Sequence, residues 1–222
     1  MGAKRARDGL SRAYRTGGRP IRVGRSIAGA DEIDAYVVGV GRKWALLHVV
    51  SGDMRLDGYA AVRLRHVERA SSAGWKGSAV AHRALGLRGE RPARVPGLDL
   101  DTTAGLIGTM AAAFGLIGVY VEEADPGVCY VGVPRGITRG KRLRLQEIDS
   151  GAEWDRACTT TRLAEITRLD AGGGYLDALA AVGGPPRRGG SAGGERAGVL
   201  DVSGGGAREG RARGRRGAGG EP

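Results

Sequence analysis

The stretch that decides the fold is WALLHVVSGDMRLDGYAAVRLRHVER, residues 44–69. It begins with an apolar, β-branched run from Trp44 to Val50 that is typical of a strand. Ser51-Gly52-Asp53 follows as a turn signal, and Asp57-Gly58 is a second one, between two further short strands. The stretch ends in RLRHV, which predicts a helical turn before a last short strand. We therefore expect a strand meander that is closed by a helical turn.

The flanking residues continue this pattern. Ala35 to Val40 predicts a preceding strand, and Trp75 to Leu87 predicts a short helix. In the second half, the run Asp99 to Thr103 is a helix N-cap signal. The other elements predicted there are helices over 104–114 and 175–182 and strands over 116–121, 128–133, 141–148 and 158–161.

The second half repeats the deciding stretch at an offset of 99 residues. Residues 143–168, LRLQEIDSGAEWDRACTTTRLAEITR, align to residues 44–69 without gaps. Both segments read as a strand, a Ser-Gly turn, another strand and then RLxx(V/I)xR. The identical pairs are Leu46/Leu145, Ser51/Ser150, Gly52/Gly151, Arg63/Arg162, Leu64/Leu163 and Arg69/Arg168. The alignment predicts a duplicated small β unit with a helix after each copy.

A run of short strands closed by RLRHV or RLAEI resembles an SH3-like or Sm-like small barrel. The segments DEIDAYVVGVGRKWALL, LDGYAAVRLRHVER, AEWD and RLAEITRLDAGGGYLDAL also resemble uncharacterised proteins of actinobacterial type. The resemblance implies an α+β fold with two small antiparallel barrels, and it implies no catalytic residues. The expected organisation is a disordered basic arm (1–30), a first barrel plus helix (31–92), a linker (93–97), a helix with the second barrel and final helix (98–182), and a disordered Gly/Arg-rich tail (183–222).

The net charge of +11 is unevenly distributed along the 222 residues. Residues 1–30 carry +7, residues 31–182 are neutral, and residues 183–222 carry +4. The chain contains 42 glycines. The tail over 183–222 has almost no large apolar side chains, so burial of apolar surface in the tail cannot offset the entropy lost on ordering. Two interpretations of the basic flanks stay open: an electrostatic tether for nucleic acid, or the composition of a GC-rich genome.

The two cysteines do not form a disulfide framework, and no secretory signal is recognisable, so the expected location is the cytoplasm. The uncharged run from Thr102 to Val121 is long enough to span a bilayer. Acidic residues flank it on both sides, however, and no Lys or Arg anchors it. A buried helix followed by a buried strand is the better interpretation, and no membrane partner is expected.

Catalytic and metal-binding motifs are not visible in the sequence. The histidines, His48, His66 and His82, lack ligand spacing, and all three lie in the half that lacks Cys129 and Cys158. The glycine-containing runs over 38–41 and 136–142 lack the spacing of nucleotide-binding loops and predict hairpin turns. The carboxylates Asp149, Glu153 and Asp155 predict a polar loop that is anchored by Trp154. No cofactor, metal or enzymatic activity is expected.

One basic cluster lies inside the neutral segment, at Arg135, Arg139, Lys141, Arg142 and Arg144. Arg142 and Arg144 would share a strand face at period two, and such a face could bind phosphates. The alternative is a charged edge strand that prevents aggregation. The predicted function is a non-enzymatic binding or regulatory protein that acts through contacts with a protein partner. The alternative function is RNA or DNA binding by this face and the basic flanks.

Overall fold

The computed structural model describes residues 2–73, 75–186 and 200–201. Within them the chain forms four α-helices and one short 3-10 helix, Leu64–His66. The helices are α1 (Gly2–Thr16), α2 (Ser78–Leu87), α3 (Thr103–Phe114) and α4 (Gly174–Gly183). The strands of the first half are β1 (Ile21–Arg25), β2 (Ile33–Val40), β3 (Trp44–Val50), β4 (Leu56–Arg63) and β5 (Val67–Ser71). Those of the second half are β6 (Ile117–Tyr120), β7 (Val128–Ile137), β8 (Arg142–Ile148), β9 (Trp154–Arg162), β10 (Arg168–Ala171) and β11 (Leu200–Asp201).

The architecture is α+β, with one antiparallel sheet at its centre. Ten strands follow the order β5-β1-β2-β3-β4-β10-β6-β7-β8-β9, and the two-residue β11 pairs with β7. The sheet is open, so the expected pair of separate barrels is wrong. The reason is the pairing of β4 with β10, in which Val62 lies opposite Arg168 and Tyr59 lies opposite Ala171. This pairing makes the two halves one continuous sheet.

The five strands of each half occupy the sheet in the same relative order: fifth, first, second, third, fourth. The turn after the third strand is also built alike in both halves. The Met54 amide donates to Ser51, and the Ala152 amide donates to Asp149, at 2.9 and 3.0 Å. Asp149 therefore takes the place of Ser51, and the offset at this turn is 98 residues rather than the 99 that aligned Ser51 with Ser150.

The helical turn that ends each half is held in the same way. In the first half, the Leu64 amide donates to the Lys43 carbonyl at 2.9 Å. In the second half, the Leu163 amide donates to the Lys141 carbonyl at 3.0 Å. The two leucines are 99 residues apart, as the sequence alignment placed them.

The basic N-terminal segment is folded, and the expectation of a disordered arm over 1–30 is wrong for its described residues. Strand β1 pairs with both β2 and β5. Helix α1 buries Ala6 and Leu10 against the sheet, with Ala13 and Tyr14 beside them. This spacing by three and four residues gives the helix one apolar side, and its basic residues occupy the other sides. The tail prediction concerns mostly residues 187–199 and 202–222, which lie outside the described residues.

Three apolar clusters hold the layers together. The first lies between α1 and the first-half strands, around Leu10, Val23 and Leu47. The second joins both halves beneath α2 and α3, and it includes Trp44 and Leu145. The third lies under α4 and contains the buried residues Leu116, Tyr120, Cys129, Val131, Ile148, Leu176 and Leu179. No helix in the described ranges has the length and apolarity needed to cross a membrane.

Candidate polyanion-binding surface

The predicted basic cluster lies at one end of the sheet, on strands β7 and β8 and the turn between them. Leu143 and Leu145 of β8 are buried in the core, so the residues that alternate with them point to the other face. Arg142 and Arg144 occupy that outer face and are half-buried. The fold thus presents both arginines on one side of a well-packed strand, as the sequence predicted.

Arg135 joins this face through a buried glutamine. Its Nε and Nη2 atoms donate to Gln146 Oε1 at 2.8 and 2.5 Å. Gln146 is only 1% exposed, and its own amide donates to the Asp155 carbonyl at 2.9 Å. The Arg135 guanidinium is therefore held at Gln146, two residues along β8 from Arg144, by a side chain that packing has already fixed.

The β7–β8 turn carries the remaining two residues of the predicted cluster. Arg139 and Lys141 are exposed, and Lys141 has a left-handed backbone with φ of 54°. The Lys141 amide donates to the Thr138 carbonyl at 2.9 Å, which closes the turn. This geometry confirms the predicted hairpin turn, which lies at residues 138–141 between β7 and β8. The run over 136–142 is therefore not a phosphate-binding loop before a helix.

Strand β9 adds an arginine that the sequence analysis did not include. Arg162 lies directly opposite Arg142, and Thr160 lies opposite Arg144. The sequence signal for this arginine is the hairpin register. A β8–β9 hairpin that turns at residues 149–152 places Arg142 opposite Arg162 and Arg144 opposite Thr160. We call the set of Arg135, Arg142, Arg144 and Arg162 the basic hairpin face.

Within the described part of the chain, Arg142, Arg144 and Arg162 form one ion pair, between Arg162 and Glu165. Glu165 lies 3.9 Å from Arg162, but the two side chains are 52% and 65% exposed, so this pair contributes little. Like charges directly across an antiparallel pair destabilise a sheet. The arrangement of Arg142 opposite Arg162 is therefore suited to an anion that bridges the two guanidinium groups.

The histidines occupy separate structural positions. His48 accepts a hydrogen bond from the Ala93 amide at 3.1 Å and stacks on Tyr59. His82 Nδ1 lies 2.9 Å from the hydroxyl of Tyr36. His66 is buried, and burial lowers the pKa values of both His48 and His66. Among the described residues, no group of three or more His, Cys, Asp or Glu side chains could hold a metal ion.

A cavity of about 520 Å³ lies where β10 and β6 meet α4, and three polar side chains of its wall hydrogen-bond to one another. Asp170 accepts two hydrogen bonds from Arg168, at 2.7 and 2.5 Å, and one from the Tyr120 hydroxyl at 3.1 Å. Burial raises the pKa of the Cys129 thiol in the same wall to about 12. A thiol with a raised pKa is a poor nucleophile, so Cys129 is not activated for catalysis.

The glycine-containing run over 38–41 is a docking point for the segment that joins α2 to α3, residues 88–102, which we call the linker. A Cβ built on Gly41 would lie 2.5 Å from Leu100 Cβ, and one on Gly39 would lie 2.7 Å from Leu100 Cδ1. The Leu100 carbonyl accepts hydrogen bonds from Lys43 and Trp44 at 3.2 and 3.0 Å. Because Gly39 and Gly41 lack a Cβ, they leave room for Leu100 of the linker, and they do not form a dinucleotide-binding loop.

The predicted carboxylate loop is a structural turn. Asp149 Oδ1 accepts from the amides of Gly151 and Glu153, both at 2.9 Å. Trp154 anchors the loop, since its indole donates to the Gly183 carbonyl at 3.0 Å. Burial, together with the nearby Asp149, raises the pKa of Asp155.

The chain has no match among protein-family models, and no curated protein or solved structure is detectably similar to it.

Proposed function

We propose that the chain is a nucleic-acid-binding protein and that the basic hairpin face contacts the phosphate backbone. The observation that carries this proposal is the direct cross-strand position of Arg142 and Arg162, next to Arg144. Arginine binds phosphate oxygens through two parallel donors, and it keeps its charge under all physiological conditions. The backbone of a nucleic acid is an anion with regularly spaced phosphates, and these can bridge neighbouring guanidinium groups on a strand face.

The fixed position of Arg135 supports the same conclusion. Its hydrogen bonds to the buried Gln146 hold the guanidinium in one geometry before a ligand arrives. Less side-chain entropy is then lost on binding. This surface is expected to recognise the backbone and not the sequence, because phosphate contacts carry no direct sequence information.

The test measures the salt dependence of binding by the full chain. Fluorescence anisotropy with a labelled single-stranded RNA and a labelled DNA duplex would compare the wild type with Arg142→Ala/Arg144→Ala. Each lost phosphate contact to duplex DNA lowers the slope of log affinity against log salt by about 0.9, so the double variant should lose about 1.8. Lys76→Ala/Arg83→Ala is the matched control, because these residues are exposed and the charge lost is the same.

The control should keep the wild-type slope. Equal weakening of both double variants would mean that only net charge matters, and the basic hairpin face would be rejected as the site. Absence of salt-sensitive binding by the wild type would reject nucleic acid as the ligand.

A second candidate function is a module that acts through protein contacts, as the sequence first predicted. Strand β9 favours it, because among the described strands it pairs on one side only, and such an edge can accept an extended segment of a partner. Its specific test is capture of an extended peptide that protects the β9 amides from hydrogen exchange.

We also propose that the two halves descend from one duplicated β unit. The common strand order, the matching turns and the matching helical turns support this origin. Superposition of the Cα atoms of residues 21–71 on those of residues 117–171 would test it, and strands or turns that do not coincide would reject it. A cytoplasmic location is part of the same proposal and is supported by the two free thiols, Cys129 and Cys158.

A further inference from the structure

The two ends of the sheet differ in what lies against them. At one end, helix α1 lies against β5, and a Cβ built on Gly9 would come within 2.6 Å of the Ala70 carbonyl oxygen. At the other end, β9 pairs with β8 on one side, and no strand of the described chain pairs with its outer edge. The amides and carbonyls of such an edge can pair with another chain. Strand β9 is therefore the end of the sheet to which a strand can be added.

The backbone groups that face outward on β9 belong to its even-numbered residues. The Leu163 amide donates to the Lys141 carbonyl of β8, so residues 163, 161 and 159 direct their backbone groups toward β8. Cys158, Thr160 and Arg162 therefore direct theirs outward. Over the part of the chain that the structure describes, no hydrogen bond uses the outward amide or carbonyl of Cys158 or Thr160.

The equivalent edge in the first half already holds another strand. Arg63 of β4 corresponds to Arg162 of β9 at the offset of 99 residues. The outward amide of Arg63 donates to the Thr167 carbonyl at 3.3 Å, where β4 meets β10. The outer edge of a fourth strand is thus a pairing edge in this fold.

We propose that β9 of one copy of this chain pairs antiparallel with β9 of a second copy, about a two-fold axis at Thr160. The β8–β9 ladder has a register shift near its turn, which leaves residues 158–162 as the regular part of β9. Thr160 is the middle residue of this part. Each Thr160 then lies opposite the Thr160 of the other copy, and each Thr159 lies opposite a Thr161.

The residues of the edge are self-complementary in this register. All three threonines face threonines, and cross-strand threonine pairs stabilise antiparallel sheets. Arg162 lies opposite Cys158, so no like charges are directly opposed. An axis one residue earlier, at Thr159, would place Arg156 opposite Arg162 twice, and such like-charge pairs are unfavourable. The charges therefore favour the axis at Thr160.

The pairing would join the basic hairpin faces of the two copies, and the role of this joined surface rests on the proposed function. Thr160 lies opposite Arg144 of β8, so the strand order across the axis is β8-β9-β9-β8. The two Arg144 Cα atoms are then about 14 Å apart, across three strand spacings. One surface carries Arg142, Arg144 and Arg162 twice, and a nucleic-acid backbone would contact both copies at once.

Sedimentation velocity without nucleic acid tests the pairing separately from the proposed function. An edge that pairs with itself gives a closed dimer, so the full chain should shift from one to two times 23.0 kDa as its concentration rises. A mass of one chain at every concentration, or species larger than a dimer, would overturn the proposal. A dimer that binds neither RNA nor DNA would support the pairing and reject only the proposed function.

Thr160→Lys tests the position of the axis. The substitution places two ammonium groups opposite each other between the copies, so the dimer should be lost, whereas a nucleic-acid contact made by one copy would not be weakened by the added positive charge. Thr16→Lys is the matched control, because Thr16 is exposed at the end of α1 and the charge gained is the same. Equal dimer fractions in the two variants would reject the axis at Thr160.

Cysteine cross-linking tests the register directly. In a Cys158→Ser background, Thr160→Cys places the two new thiols on residues whose Cα atoms are about 5.5 Å apart, which is within disulfide range. Mild oxidation should therefore give a covalent dimer. Arg156→Cys in the same background is the control, because residue 156 is exposed and its two copies would lie about 27 Å apart. Equal cross-linking of both variants would reject the register.

Discussion

Met54 and Ala152 adopt the same left-handed backbone conformation, with φ of 59° and 61°, at the same position of two turns that are 98 residues apart. Each is the fourth residue of its turn, and each donates its amide to the residue three positions earlier. Neither residue is a glycine, so the left-handed conformation costs about 1 kcal/mol at each position. The common geometry shows that both halves have the same turn shape although its residues differ.

Ala152→Gly should stabilise the protein, because glycine adopts a positive φ without the steric cost of a Cβ. We expect the free energy of unfolding to rise by about 0.5–1 kcal/mol, measured by urea denaturation. Ala124→Gly is the control, because Ala124 is an exposed turn residue whose φ is not positive, so the same substitution relieves no strain there. A lower stability for Ala152→Gly would show that lost packing of the methyl group outweighs the strain.

Gly41→Ala should destabilise the docking of the linker on the β2–β3 hairpin. The added methyl group would lie 2.5 Å from Leu100 Cβ and 2.6 Å from the Leu100 carbonyl oxygen, so the linker backbone must shift. Overpacking of this kind costs about 1–3 kcal/mol. The loss should appear as a lower urea midpoint and as faster proteolysis within residues 88–101.

Gly52→Ala is the matched control for that substitution. Gly52 also lies in a hairpin turn of the first half, but a Cβ there meets no atom within 4 Å. Its stability should stay within about 0.5 kcal/mol of the wild type. If the two variants behave alike, close approach of Leu100 is not the reason for Gly41.

Most of the strands could be predicted from the sequence, because local alternation and turn residues specify them. The β3 strand and the helical turn at 64–66 lie where the deciding stretch placed them. The pairing of β4 with β10 could not be predicted, since two strand edges that meet across about 100 residues leave no local pattern. Without that pairing, two complete strand meanders suggest two separate barrels and not one sheet.

The N-terminal helix and the full basic face were missed for different reasons. Ala6, Leu10 and Ala13 are a sparse apolar pattern in a strongly basic segment, and composition alone favoured disorder. Arg162 was missed because the basic residues were grouped by position along the chain. Only the hairpin register places Arg162 opposite Arg142, although the two residues are 20 positions apart in the chain.

Removing one partner of the buried ion pair of Arg25 and Glu122, which joins the two halves, should strongly destabilise the protein. The Arg25 side chain is fully buried and the Glu122 side chain is 5% exposed, and Thr167 also donates to this carboxylate at 2.7 Å. Glu122→Gln or Arg25→Met leaves one buried charge without its partner, which costs about 3–5 kcal/mol. Chemical denaturation would measure the loss.

A double-mutant cycle separates the pair from its surroundings. Arg25→Met/Glu122→Leu should cost less than the sum of the single variants, because no unpaired charge remains. Arg42→Ala is the control, since its ion pair with Asp101 is exposed and contributes about 1 kcal/mol or less. Strict additivity of the two buried substitutions would contradict a direct interaction.

His48 should make the stability of the folded chain dependent on pH. Its Nδ1 accepts the Ala93 amide at 3.1 Å, which requires the neutral ring, and burial lowers the pKa of His48 below its ordinary value of about 6.5. A lowered pKa gives stability that is fully present above about pH 6.5 and is lost as the pH falls through the folded-state pKa. Protonation would also weaken the attachment of the linker at Ala93.

The His48→Gln variant isolates this contribution. Its amide oxygen can accept the Ala93 hydrogen bond but does not titrate, so its stability should fall less between pH 7 and pH 5 than that of the wild type. Part of the remaining dependence of stability on pH comes from His66, because burial lowers the pKa of His66 as well. His66→Gln should therefore reduce this dependence further. Urea denaturation at several pH values measures both slopes. Equal slopes for His48→Gln and the wild type would show that His48 does not titrate with folding.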